Sequence, residues 1–284
     1  MNVDTPAKEF LFSTVRLTST SSRGTSVGTG FLMHQQVGPG TYVPFLVTNK
    51  HVVEGAEHLT VGLIARDPHQ PNRPRLGHRA DRTFTDPAWI GHPDPEVDVA
   101  ILPAAALYAE PDRLFVKSIP TDLLPEDSDN LFFDAIEDVT FIGYPNGWQD
   151  PANLTPIVRR GITATPLELA FEGKPVFLID GSVFGGSSGS PVFLLNEGLY
   201  RSDPQTTTIG ARRVLVGVVA ATMTRSQAHP ILVNHQPHVR IAQELNLGIV
   251  YNWIAIRQTI DAFLTASGHT QPAVSADELV ANAE

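Results

Sequence analysis

Apolar residues in this chain gather into short runs bounded by turn residues. Segments 9–17, 25–34, 42–48, 58–64, 98–103, 137–143, 156–164, 175–180, 190–196, 212–222 and 247–251 are rich in Val, Ile, Thr and Phe. Gly, Pro, Asn and Asp close most of them, which is the pattern of β-strands separated by turns. The polar stretches 65–82 and 144–155 read as surface loops. Residues 104–135 are acidic and carry Pro111, Pro120 and Pro125, which suits a linker between two β units. The period changes only near the end. After Asn252, a suitable N-cap, Ile254, Ile256, Ile260, Phe263 and Leu264 recur near a helical repeat, and Gly268 stops it. The expected fold is all-β, in two β domains with a C-terminal α-helix. The expected division is 1–120, 121–267 and a flexible tail over 268–284. Ser275 and Glu278 have capping-box spacing in that tail, compatible with a short helix.

Composition narrows the function classes. The 284 residues include 22 glycines and 23 prolines, above the roughly 12% that these types usually supply together. That favours many turns and short strands. The net charge is −10, and no Lys/Arg cluster stands out. Nucleic acid and anionic membrane surfaces are therefore unexpected partners. No apolar run approaches the ~18 residues of a membrane span, and the N-terminus lacks the basic start and apolar stretch of a secretory signal. With no cysteine, disulfides and thiolate metal sites are excluded. A soluble cytoplasmic protein is expected.

Candidate chemistry centres on GSSGSP at residues 186–191. Glycines around a serine permit a tight turn and let a substrate carbonyl approach main-chain N–H groups. Nucleophilic serine catalysis needs an exposed hydroxyl and such donors. The ordinary alternative is a surface loop. His51, in LVTNKHVV, sits where an apolar strand gives way to a turn. A histidine beside apolar residues can equally be structural. Asp98 directly precedes the apolar run VAIL, and an acid against a core strand is costly without a partner. A histidine N–H would be that partner. Asp94 and Glu96 read as ordinary turn acids.

Seven segments occur in an order that resembles the chymotrypsin-like, trypsin-fold serine proteases, particularly the bacterial, cysteine-free, HtrA/Deg-like branch. They are GTGFLM (28–33), TNKHVV (48–53), DVAIL (98–102), FIGYPNG (141–147), RRGIT (159–163), GSSGSP (186–191) and GVVAAT (217–222). The resemblance spans roughly residues 10–255 and implies an all-β fold of two packed antiparallel β-barrels with a C-terminal α-helix, and serine endopeptidase activity on protein or peptide substrates, without a cofactor. It implies Ser188 as nucleophile, His51 as general base and then acid, and Asp98 as the group that orients the imidazole. The oxyanion hole would be the N–H groups of Gly186 and Ser188. Ser182 would lie at the floor of the P1 pocket, and Ala220, Ala221 and Thr222 would form one wall. No acid stands at that floor, so small or medium apolar P1 residues are expected rather than Lys or Arg, and Phe184 would narrow the pocket. Too little chain follows the helix for a PDZ module.

Two departures from the digestive enzymes stand out. Ser187 replaces the aspartate used in zymogen activation, so the turn must be ordered by other means. Ser190 replaces a second glycine. Residues 223–246 form an insertion with His229, His235 and His238, whose spacing matches no standard metal pattern; a substrate-shaping loop is the reading, and no metal is expected. Three alternatives remain: a protease-fold module that only binds, a self-processing or effector-type protease with one dedicated substrate, and an esterase using Ser187 in a G-x-S-x-G turn. Pro191 and the apolar run after it oppose the helix that the esterase fold requires.

Overall fold

The computed structural model describes residues 1–126, 131–229, 239–266 and 274–275. The N-terminal half holds helix α1 (Pro6–Ser13) and strands β1 (Thr14–Ser21), β2 (Gly24–Gly38) and β3 (Thr41–Thr48). Then come the short helix α2 (Lys50–Val53), β4 (His58–Gly62), β5 (Ile64–Arg66), β6 (Pro74–Arg79), β7 (Arg82–Thr85), β8 (Ile90–Gly91), β9 (Ala100–Pro103), β10 (Leu114–Phe115) and β11 (Ile119–Pro120). The C-terminal half is built of β12 (Asp138–Gly143), β13 (Ile157–Thr163), β14 (Val176–Asp180), β15 (Pro191–Arg201), β16 (Thr207–His229) and β17 (Val239–Asn252), followed by α3 (Trp253–Ala266) and β18 (Val274–Ser275).

Both expected β units form. The first is a curled sheet in the order β7-β4-β1-β2-β3-β9-β8, and the second closes as the barrel β12-β13-β14-β17-β16-β15. Their packing explains the continuous apolar runs in the sequence. On β2 and β3, Leu32 and Leu46 point into the N-terminal core, while Phe31, Met33, Phe45 and Val47 point the other way. That second face meets Phe193, Leu215 and Val218 of the C-terminal barrel and Ile256, Ile260 and Phe263 of α3. On β15, Val192 and Leu194 fill the barrel while Phe193 faces the seam. Side chains alternate along a strand, so a strand buried on both faces loses its polar positions and reads as an unbroken apolar run.

Several expectations are corrected. Residues 9–13 are helical: Thr5 caps the first turn and Pro6 opens it, both helix-start signals. Phe10 of this helix stacks on Phe193 at 4.4 Å, tying the N-terminus to the C-terminal barrel. The stretch 65–82 contains β6, which joins β5 and β10 in a three-stranded sheet. The proposed linker contributes β10 and β11, and Ile119 pairs in parallel with Met33. Helix α3 starts as expected, with Asn252 Oδ1 accepting from the Ala255 N–H at 3.3 Å, but Ile254 lies on its exposed side. The insertion is not simply a loop, since β16 and β17 extend into it as a paired ribbon reaching His229 and Val239. His235 and His238 lie outside the described residues. In the tail, Val274 and Ser275 pair with Tyr42 and Thr41 of β3, while Gly268 and Glu278 lie outside the described residues.

Candidate active site

His51 sits in α2, at the end of β3. Val52 and Val53 bury the inner side of this short helix, and the imidazole remains half exposed, at 50%. Asp98 lies in the irregular segment before β9. The structure brings the two together twice. The His51 N–H donates to Asp98 Oδ1 at 3.0 Å, and His51 Nδ1 meets Oδ2 at 2.5 Å. That pairing holds Nδ1 as the donor and leaves Nε2 as the free proton acceptor. Asn49, one residue from α2, gives its Nδ2–H to the Asp98 carbonyl at 2.6 Å. From the other half, the Tyr251 hydroxyl donates to the Glu96 carbonyl at 3.0 Å. Burial keeps that phenol above its ordinary pKa, opposed by a backbone hydrogen bond from Asp98, so it stays a donor.

Ser188 lies on the turn that connects β14 to β15. Its carbonyl accepts from the Thr29 N–H at 2.8 Å, which fastens the turn to β2. Gly189 takes φ +88° and passes so close to β2 that an added Cβ would fall 1.8 Å from the Thr29 carbonyl oxygen. The serine is thus fixed against the sheet that carries His51. The hydroxyl itself donates to the Ala220 carbonyl at 2.8 Å, not to His51.

Gly186 takes φ +81°, and a Cβ there would lie 2.6 Å from the Tyr144 carbonyl oxygen. Only glycine fits this turn without strain. The surrounding carbonyls are committed elsewhere: Gly185 to the Asn146 N–H at 2.5 Å, and Gly186 to the Thr29 hydroxyl at 2.8 Å. Among the described residues, the N–H groups of Gly186 and Ser188 have no hydrogen-bond acceptor, which leaves two donors unpaired at this turn. Ser187 is buried inside the turn, where its N–H donates to the Phe184 carbonyl and its hydroxyl accepts from the Phe184 N–H. Ordering therefore comes from these contacts within the turn and from Thr29 and Asn146 outside it. The second departure is also accommodated. Ser190 is fully buried with an unpartnered hydroxyl, and it fills the space that a side chain on Gly143 would need.

The residues assigned to the P1 pocket make contacts that the sequence did not show. Ser182 is half-buried and Ala221 is exposed. The Thr222 hydroxyl, within β16, donates to the Val183 carbonyl at 2.8 Å, tying that strand to the loop after β14. Val183 is itself buried, with Cγ2 only 2.5 Å from the position of an added Cβ on Gly248. Thr29, Lys50, Thr222 and Tyr251 all contribute contacts missed in the sequence, although Thr29 falls inside the GTGFLM motif. Among the described residues, no three His, Cys, Asp or Glu side chains are placed to share a metal ion, and no helix is long and apolar enough to cross a membrane.

The two β units and the glycine-bound serine turn at their seam define a trypsin-like architecture. Residues 28–199 match the family model described as a trypsin-like peptidase domain, and the chain belongs to that family. Among solved structures, an inactivated protease paralogue from the scabies mite is 15% identical, with a TM-score of 0.50 over 91% of this chain and 96% of that one. The protease Anisep from Arthrobacter nicotinovorans is 12% identical, with a TM-score of 0.49 over 89% and 95%. A serine endoprotease from Yersinia pestis is 17% identical, with a TM-score of 0.48 over 94% and 69%. At these identities the likeness concerns the fold alone. No curated protein matches the sequence.

Proposed function

We propose that this protein is a serine endopeptidase in which Ser188, His51 and Asp98 form the catalytic triad. The observation that carries this reading is the double hydrogen bond from His51 to Asp98, together with a serine whose turn has two N–H donors unpaired among the described residues. Ser188 Oγ attacks the scissile carbonyl while His51 Nε2 takes its proton. Asp98 stabilises the imidazolium, and the Gly186 and Ser188 N–H groups bind the oxyanion. His51 then protonates the leaving amine. Water, deprotonated by His51, hydrolyses the acyl-enzyme and restores the serine.

The Thr222–Val183 bridge supports a shallow P1 pocket that takes small apolar side chains. The motifs of the chain resemble those of the bacterial HtrA/Deg-like branch, which supports protein or peptide substrates, and its cysteine-free composition suits the cytoplasm. A fluorophosphonate probe tests the mechanism. Labelling of the native protein that disappears in Ser188→Ala is expected. A folded protein that never labels overturns it and favours a second reading, a binding module on a protease fold, with which the Ser188–Ala220 hydrogen bond is compatible.

A further inference from the structure

Among the described residues, both hydrogen bonds to the Asp98 carboxylate come from His51. Its position otherwise depends on the backbone of the irregular segment 92–98, where Asn49 holds the Asp98 carbonyl and Tyr251 the Glu96 carbonyl. Lys50, the residue before His51, holds that segment. Its Nζ donates to the carbonyls of His92 at 3.1 Å, Asp94 at 2.9 Å and Pro95 at 3.4 Å. An ammonium has three N–H donors, and here all three meet peptide carbonyls of one loop. The stem reaches them by crossing Gly91, where an added Cβ would lie 2.6 Å from Lys50 Cε. His92 joins the loop to α3 through its Nε2 and Gln258 Oε1 at 2.8 Å. The aspartate segment is thus clamped by the residue next to the catalytic histidine.

We propose that Lys50 is a positioning residue that sets Asp98 against His51. The consequence for rate rests on the peptidase reading above; the consequence for the His51–Asp98 bond does not. Lys50→Met keeps the stem and removes the ammonium. Gly91→Ala keeps the lysine and forces its stem aside. Two quantities are measured in folded protein: the rate constant of fluorophosphonate labelling, and the downfield proton resonance of the His51 Nδ1–H. A misplacement near 1 Å can cost about 10²-fold, so each variant should label at least about tenfold more slowly, with the resonance broadened or lost. The double variant should be no slower than Lys50→Met alone, because both changes remove one clamp. A folded Lys50→Met protein with the native rate and resonance overturns the proposal, as do additive effects. If Lys50→Met does not fold, Gly91→Ala decides by the same two readouts. If the native protein does not label, the peptidase reading fails, and the resonance alone judges Lys50: its survival in the variants refutes the clamp.

Discussion

Ser188 Oγ donates to the carbonyl of Ala220 at 2.8 Å, so the candidate nucleophile rests on its own barrel rather than on His51. Side-chain rotamer changes are fast compared with turnover, so leaving this carbonyl need not limit the rate. Removing this hydrogen bond should cost only about 1 kcal/mol of stability. Ser188→Ala is therefore expected to fold normally in thermal unfolding while peptide hydrolysis falls by about 10⁴-fold or more. Combining it with His51→Ala should add little, because triad members act as a unit. Independent, multiplying losses would contradict the shared mechanism.

Thr222 offers a test of specificity. Thr222→Gly removes the hydrogen bond that ties β16 to the Val183 carbonyl. Relative kcat/KM for peptides with Leu or Phe at P1 over Ala at P1 should rise by about tenfold, the usual worth of a methylene or two in an apolar pocket. An unchanged ratio would show that the bridge does not limit the pocket.

Stability in the C-terminal barrel depends on a buried ion pair. Arg212 Nη1 and Nη2 donate to the two carboxylate oxygens of Glu137 at 3.0 and 2.5 Å, and the side chains are 7% and 9% exposed. Arg212 also reaches Asn196 Oδ1 and the Phe132 carbonyl. Glu137→Ala would leave a buried cation without its anion, a change that typically costs about 3–5 kcal/mol. A large fall in the denaturant midpoint is expected, and a near-neutral result would mean that water reaches the guanidinium.

His34 should produce acid sensitivity. Its Nδ1 lies 2.8 Å from Ser118 Oγ, and its ring packs edge-on to Tyr42. Burial, opposed by the charge of Asp122, lowers its pKa from 6.5 to about 4. The folded state therefore resists a proton that the unfolded chain accepts. Its contribution to stability is complete above pH 6.5 and is lost as the pH falls towards 4. At about 1.4 kcal/mol per pKa unit, the loss by pH 4.5 is roughly 2–3 kcal/mol. Urea unfolding of native and His34→Gln protein at pH 7 and 4.5 should give a smaller difference between the two pH values for the variant.

Local signals carried much of the fold and the candidate site. Turn residues and apolar runs marked most strands, and the glycines around Ser188 marked the turn whose φ values only glycine readily adopts. Misassignments arose where competing local signals overlapped. Phe10, Phe12 and Val15 form an apolar run shared by a helix and a strand, and the capping chemistry of Thr5 and Pro6 decided the boundary. Residues 74–79 look polar because most of that strand is exposed.

The sequence by itself determined the β class, the terminal helix and the chemical types available at the site, because these depend on side-chain alternation, turn preference and residue chemistry over a few positions. Only the tertiary structure decided what those residues touch. Lys50 meets a loop more than forty positions later, Thr222 closes on Val183, and Ser188 turns to Ala220 rather than His51. Such contacts form when distant strands pack, and no local pattern encodes which carbonyl a given ammonium or hydroxyl will reach.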